Sequence, residues 1–264
     1  MRRTRRDPIV TTVLTLLVGA LLAGGWWALR SDPAAPAPAP AQAPPAAQRE
    51  VTAQHSRQAD RPVPRTFDRS AHSTTDPSST WVIVNKSHPI TPSQFRPELS
   101  IVRGYQVADP AAGPLTRLLD ASDRQGLGFK IASAFRSYGY QDSVHKQLVA
   151  AQGEAAADRI SARPGHSEHQ TGLAVDIVTP ADGRCDFEPC FAGTPGGRWL
   201  AGNAWRFGFV IRYTPENEER TGYSAEPWHL RYVGPALARE LRETGAGSLE
   251  EYFGVPGGDY PPVP

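Results

Sequence analysis

The chain has only two cysteines and a net charge of +1 across 264 residues. Each shortage removes a class of function. Two thiols, Cys185 and Cys190, cannot build a four-cysteine zinc site, so a metal here needs histidine and carboxylate ligands. Charges that nearly cancel leave no markedly basic surface for nucleic acid. No internal repeat occurs, and the longest stretch free of charge includes residues 9–29. Proline is the opposite case: 26 residues exceed the roughly 5% of average chains, and they crowd toward the N-terminal end.

The uncharged stretch, residues 9–29, ends beside Trp26 and Trp27. At about 1.5 Å per helical residue it covers roughly 30 Å, the thickness of a bilayer core. Arg2, Arg3, Arg5 and Arg6 precede it and should stay cytoplasmic, which puts the rest of the chain outside. Residues 1–30 therefore read as a single-pass membrane anchor. The competing reading is a cleaved signal peptide, whose apolar region is usually shorter, and which would leave a secreted protein. No cysteine follows closely, so a lipoprotein anchor is excluded. Residues 31–77 read as a Pro/Ala-rich disordered linker, extended where Pro and Ala dominate and polar beyond. The folded domain is expected at 78–254, and the Gly/Pro-rich residues 255–264 as a flexible tail.

Within the domain, apolar patterning predicts strands at 81–85, 129–134, 173–178, 209–213 and 228–233. Helices are predicted at 115–124, with Leu115, Leu118 and Leu119 on one face, and at 140–157, 198–207 and 235–243. The last opens at Pro235 and closes at Gly245, as helices often do. Strands and helices mix without strict βαβ alternation. That pattern argues for an α+β fold, with an antiparallel sheet covered by helices.

Two stretches carry chemistry: Ser167-Glu-His-Gln-Thr-Gly-Leu-Ala-Val-Asp176 and Glu226-Pro-Trp-His229. His169 and Asp176 are seven residues apart. One straight strand would aim them to opposite faces, and one helix would separate them by about 10 Å along its axis. A turn at Gly172 resolves this, with His169 on the loop and Asp176 on the strand. Asp176 sits in a β-branched run, where a carboxylate is costly unless paired or coordinating. In the second stretch His229 alternates with Trp228 and Leu230, so it points to the more polar face. Pro227 cannot donate to a ladder, which places Glu226 on the loop leading into that strand. Two histidines and an aspartate with a free glutamate match an open catalytic zinc: three protein ligands, and a base for a water. Cys185 and Cys190 enclose a short loop, and outside the membrane such a pair should oxidise to a disulfide.

Ser-x-His-x-x-Gly-x-Ala-x-Asp followed by Glu-x-Trp-His resembles the VanY-type D,D-carboxypeptidases, zinc peptidases grouped with lysostaphin and the hedgehog signalling domain. The matching residues are Ser167, His169, Gly172, Ala174, Asp176, Glu226, Trp228 and His229. Upstream, Ser133-Ala-Phe-Arg136-Ser137-Tyr-Gly-Tyr-Gln141 and Val84-Asn-Lys86 with His88-Pro89 also match. The resemblance spans roughly residues 81–245. It implies the hedgehog/D,D-peptidase-like fold and one zinc ion held by His169, Asp176 and His229. It further implies Glu226 as catalytic base, Arg136 stabilising charge in the transition state, and Gln141 and Ser167 contacting the peptide. The reaction implied is removal of the terminal D-Ala from peptidoglycan stem peptides. The same metal chemistry would serve an L,D-carboxypeptidase or a cross-link endopeptidase. A third reading is a non-catalytic wall-binding module that keeps the fold as a scaffold. His88, His145 and His166 match no ligand position.

Overall fold

A computed structural model describes residues 66–262, so the expected anchor and most of the expected linker lie outside the described residues. No described helix is long and apolar enough to cross a membrane. In chain order the elements are β1 (Leu99–Val102), β2 (Tyr105–Ala108), α1 (Asp109–Arg124), β3 (Lys130–Ser133), α2 (Tyr138–Gln152) and α3 (Glu154–Ile160). They continue with β4 (Ala174–Val178), α4 (Pro195–Asn203), β5 (Phe209–Tyr213), α5 (Glu218–Thr221), β6 (Glu226–Tyr232), α6 (Pro235–Thr244) and α7 (Leu249–Phe253). β1 and β2 form a hairpin, and the main sheet is antiparallel throughout with order β3-β4-β6-β5. The α+β architecture expected from the sequence is what the chain adopts.

Alternation builds the sheet's two faces. Val175 and Ile177 of β4 and Trp228, Leu230 and Tyr232 of β6 join Leu115, Leu118 and Leu119 of α1 in one buried cluster. Fully burying each such leucine is worth about 1.5–3 kcal/mol, which pins α1 to that side. On β4 and β6 the opposite face is also buried but polar, holding Asp176, His229 and Arg231. Register then does the positioning: Asp176 stands directly opposite His229, and Ser133 opposite Asp176. Cross-strand neighbours in register have Cβ atoms only about 5 Å apart.

The His169 side of the problem is solved by the expected turn. A 3-10 turn, Glu168–Thr171, ends at Gly172, which is left-handed at φ +68°. A Cβ there would meet Ala108 N at 2.8 Å, so conformation and space both require glycine. Gly172→Ala is expected to cost ~2 kcal/mol and to lower Tm by roughly 4–8 °C. A thermal melt shows this directly, and an unchanged Tm would refute the account.

Several boundaries differ from the sequence expectation. Residues 81–85 are buried but form no strand, because other groups satisfy their backbone: the Ile83 N–H donates to Thr74 O, and the Arg231 guanidinium donates to Val82 O and Thr80 O. The long helix at 140–157 is two helices, broken at Gly153 (φ +86°). α1 starts at Asp109, carrying Pro114 inside it. Glu226 is the first residue of β6, paired with Tyr213, and not on a preceding loop. The ladder is irregular between Ile211 and Tyr213, which accommodates the missing N–H of Pro227. The domain begins earlier than 78, since Phe67 stacks on Trp81 at 5.5 Å and Arg69 lies 4.1 Å over the Tyr252 ring. The tail is not free either: Asn85 Nδ2 donates to Pro256 O, and Tyr260 is half-buried.

Candidate metal centre and active-site cleft

His169, Asp176 and His229 each offer a ligand atom, and these atoms lie within 4.8 Å of one another. His169 Nε2 is 3.2 Å from Asp176 Oδ2, and His229 Nδ1 is 3.2 Å from Asp176 Oδ1. All three residues are buried. Asp176 Oδ1 accepts no hydrogen bond despite that proximity. A buried carboxylate oxygen left orphaned among imidazole nitrogens fits a cation, because such groups are otherwise nearly always paired. A His₂Asp set fits zinc.

The far nitrogen of each ring is also held. His169 Nδ1 lies 2.7 Å from Ala134 O, and His229 Nε2 lies 3.4 Å from Glu168 Oε2. These partners assign the tautomers: His169 presents Nε2 to the metal and His229 presents Nδ1. Glu168 is fully buried and in turn receives Arg212 Nε at 2.8 Å and an Arg231 terminal nitrogen at 2.7 Å. Arg212 also donates to both oxygens of buried Glu250. Burial would raise the Glu168 pKa, but the two guanidiniums hold it well below the usual carboxylate range. The residue lies inside the first motif, yet nothing in its position marked it as more than a spacer. The signal that could have found it is the alternation on β6, which places Arg231 on the His229 face.

Burial opposes charging His229, but the carboxylates of Asp176 and Glu168 outweigh it and lift the pKa to about 9. Zinc takes neutral imidazole, so below pH 9 the metal must displace a proton from this ring. Zinc binding to the metal-free protein at pH 7 is therefore expected to release about one proton. Affinity should rise about tenfold per pH unit up to that value. Calorimetry in buffers of different ionisation enthalpy measures the proton count, and a count of zero would contradict the assignment.

The centre opens into a cavity of about 480 Å³ lined by Arg136, Ser167, Glu226 and Trp228 among others. Glu226 Oε2 is 3.5 Å from His229 Nδ1. Burial pushes the Glu226 pKa up to about 7, partly offset by His229. That value suits a group that must take a proton and return it near neutral pH. Arg136 donates to Ser133 Oγ at 2.9 Å and Gln141 Oε1 at 2.8 Å, and lies 3.9 Å from Asp176. Gln141 is fully buried and its amide donates to Ala162 O and Ser161 Oγ. It does not line the cavity, and its Oε1 holds the Arg136 guanidinium. Trp228 belongs both to the core and to the cavity wall, where Phe187 packs edge-on against it at 5.8 Å. Phe187 stands on the loop closed by the Cys185–Cys190 disulfide. His166 is turned away, with Nδ1 on Asn85 O.

A family model described as VanY, D-alanyl-D-alanine carboxypeptidase, matches residues 104–235, half of the chain. The chain belongs to the VanY family. A D-alanyl-D-alanine carboxypeptidase of Enterococcus faecalis (strain ATCC 700802 / V583) is 39% identical over 182 residues, covering 65% of each chain. YodJ of Bacillus subtilis (strain 168) is 35% identical over 190 residues, covering 67% of this chain and 68% of that one. Two solved structures bear on chemistry. The LdcB LD-carboxypeptidase superimposes with a TM-score of 0.62 at 34% identity, covering 67% of this chain and 87% of that one. A mutant of the vancomycin resistance D,D-pentapeptidase VanY, in complex with Zn(II), gives 0.57 at 37% identity, covering 66% and 98%. With the donor set above, this VanY-family chain is a zinc metallopeptidase.

Proposed function

We propose that the protein removes the terminal D-alanine from peptidoglycan stem peptides as a zinc D,D-carboxypeptidase. The observation that carries it is the convergence of His169, Asp176 and His229 beside Glu226 at the floor of an open cavity. Zinc, when bound, supplies a Lewis acid that polarises the scissile carbonyl and acidifies a water. Glu226 accepts the proton from the attacking water and delivers it to the leaving amine. Arg136, fixed by Ser133 and Gln141, turns a permanent charge toward the cavity, where a developing oxyanion or a terminal carboxylate can take it. Ser167, also in the wall, contributes a hydroxyl toward the peptide.

The test uses the purified protein with a stem pentapeptide ending in D-Ala–D-Ala. Loss of one alanine by mass, stopped by chelator and restored by zinc, is expected. A second reading has its own support, because L,D-carboxypeptidases stand among the structural neighbours, including DacB of a streptococcus at 42% identity. Cleavage of a tetrapeptide but not of the pentapeptide would favour it. Location is part of the proposal: an extracytoplasmic domain tethered by residues 1–30. The uncharged stretch behind basic residues supports it, as does a disulfide suited to an oxidising compartment.

A further inference from the structure

The last residues of the domain lie beyond the family match, which ends at 235. Residues 255–260 nevertheless return to pack behind segments that line the cleft. They cross the turn between α5 and β6 backbone against backbone: a Cβ on Gly222 would collide with Gly258 O, and one on Gly257 with Arg220 O. Side-chain bonds tie the strap down. Asn85 Nδ2 donates to Pro256 O at 3.0 Å, and Ser87 Oγ donates to Asp259 O at 3.0 Å.

Tyr260 is where this strap meets both walls of the cavity. Its hydroxyl accepts the backbone N–H of Arg163 at 2.7 Å, and its ring packs 4.3 Å from the Arg163 guanidinium and 5.0 Å from the His166 ring. Ser161 and Ala162, just before Arg163, line the cavity. On the other side the Tyr260 hydroxyl is 3.5 Å from that of Tyr223, a buried residue that lines the cavity three positions before the base Glu226. Between them, Ser224 N–H donates to Arg159 O and Ala225 N–H to Glu218 Oε1, so the 223–226 segment is held to α3 on one side and α5 on the other.

We propose that the 255–260 strap is part of the active site, with Tyr260 a positioning residue that fixes the spacing of the 161–162 and 223–226 walls around the peptide. The inference rests on the peptidase reading for its substrate, but not for its structural consequence. Its hydroxyl touches both segments, beside the bond from Ser224 N–H to Arg159 O that also joins them, and it does so from outside the cavity. Tyr260 therefore acts through its neighbours and touches no reacting atom.

The experiment compares Tyr260→Ala and Tyr260→Phe in the full, zinc-loaded chain. Phe keeps the ring packing on Arg163 and His166 but loses the hydroxyl that reaches both walls, so KM should rise by about threefold or more. Ala should raise KM about tenfold or more, as expected when binding groups are loosened by an ångström, with zinc content unchanged. Hydrogen exchange supplies a readout that needs no substrate: amides of residues 161–163 and 223–226 should exchange faster in Tyr260→Ala, while β3 and β4 keep wild-type rates. If Tyr260→Ala does not fold, Gly257→Ala lifts the strap off Arg220 O and should give the same pattern. A lowered Tm with wild-type KM and exchange would mean a merely structural tail and would overturn the proposal. If the wild type cleaves no stem peptide, the peptidase reading fails. Exchange then decides alone: faster at both walls supports the strap, and unchanged rates overturn it.

Discussion

Glu226→Gln should lower kcat by about 10³-fold while the protein still binds one zinc with its fold intact. The magnitude is that of removing a general base. The separation of effects follows from geometry, because the three atoms that converge as ligands belong to His169, Asp176 and His229, and Glu226 is not among them. Gln preserves the volume in a site where Glu226 is largely enclosed, so loss of activity cannot be ascribed to a cavity. Zinc content by mass spectrometry and turnover on the same preparation check both halves. Retained turnover would transfer the proton to another group; lost zinc would make Glu226 a ligand.

Glu168→Ala should be the most damaging change to stability outside the core. Its carboxylate answers two guanidiniums that are themselves fully buried, Arg212 and Arg231. Removing it leaves two cations with one buried carboxylate, Glu250, which reaches only Arg212. Breaking a buried pair in this way costs about 3–5 kcal/mol. The same substitution releases the far nitrogen of His229, and losing such a partner typically weakens metal binding 10–100-fold. Denaturant titration measures the first effect and a competitive chelator the second. A variant with wild-type stability would show that water replaces the carboxylate, contrary to its complete burial.

The fold and the centre were legible in the sequence to different depths. The strand that carries Asp176 was readable from its β-branched run and the one that carries His229 from its alternation of apolar and polar residues, and β5 at Phe209–Tyr213 matches its expected limits. The Gly172 turn was readable because no regular element could bring His169 to Asp176. The β1–β2 hairpin was missed: its strands are four residues each, and its turn uses Arg103 (φ +46°) and Gly104 (φ +91°) in place of an Asn-Gly signal. Residues 81–85 were misread because burial and β-branching resemble a strand, whereas a guanidinium stands where a ladder partner would be. Gln141 is a related case: its motif position gave no sign that its side chain is buried against Arg136, Ser161 and Ala162. A motif position reports that a residue matters, but only packing shows whether it faces the substrate or the residue that does.

The opposition of Asp176 and His229 on one ladder has an evolutionary corollary. Between them the chain leaves the sheet twice, over residues 179–208 and 214–225, with β5 paired to β6 in between; the length of either excursion does not alter the distance between two ligands held on one rung. Closing a longer excursion is cheap, about 0.6 kcal/mol for each doubling of length. Insertions in those excursions, including the segment cinched by Cys185 and Cys190, leave the ligand spacing unchanged. Substrate preference can diversify there while the hydrolytic machinery is inherited whole.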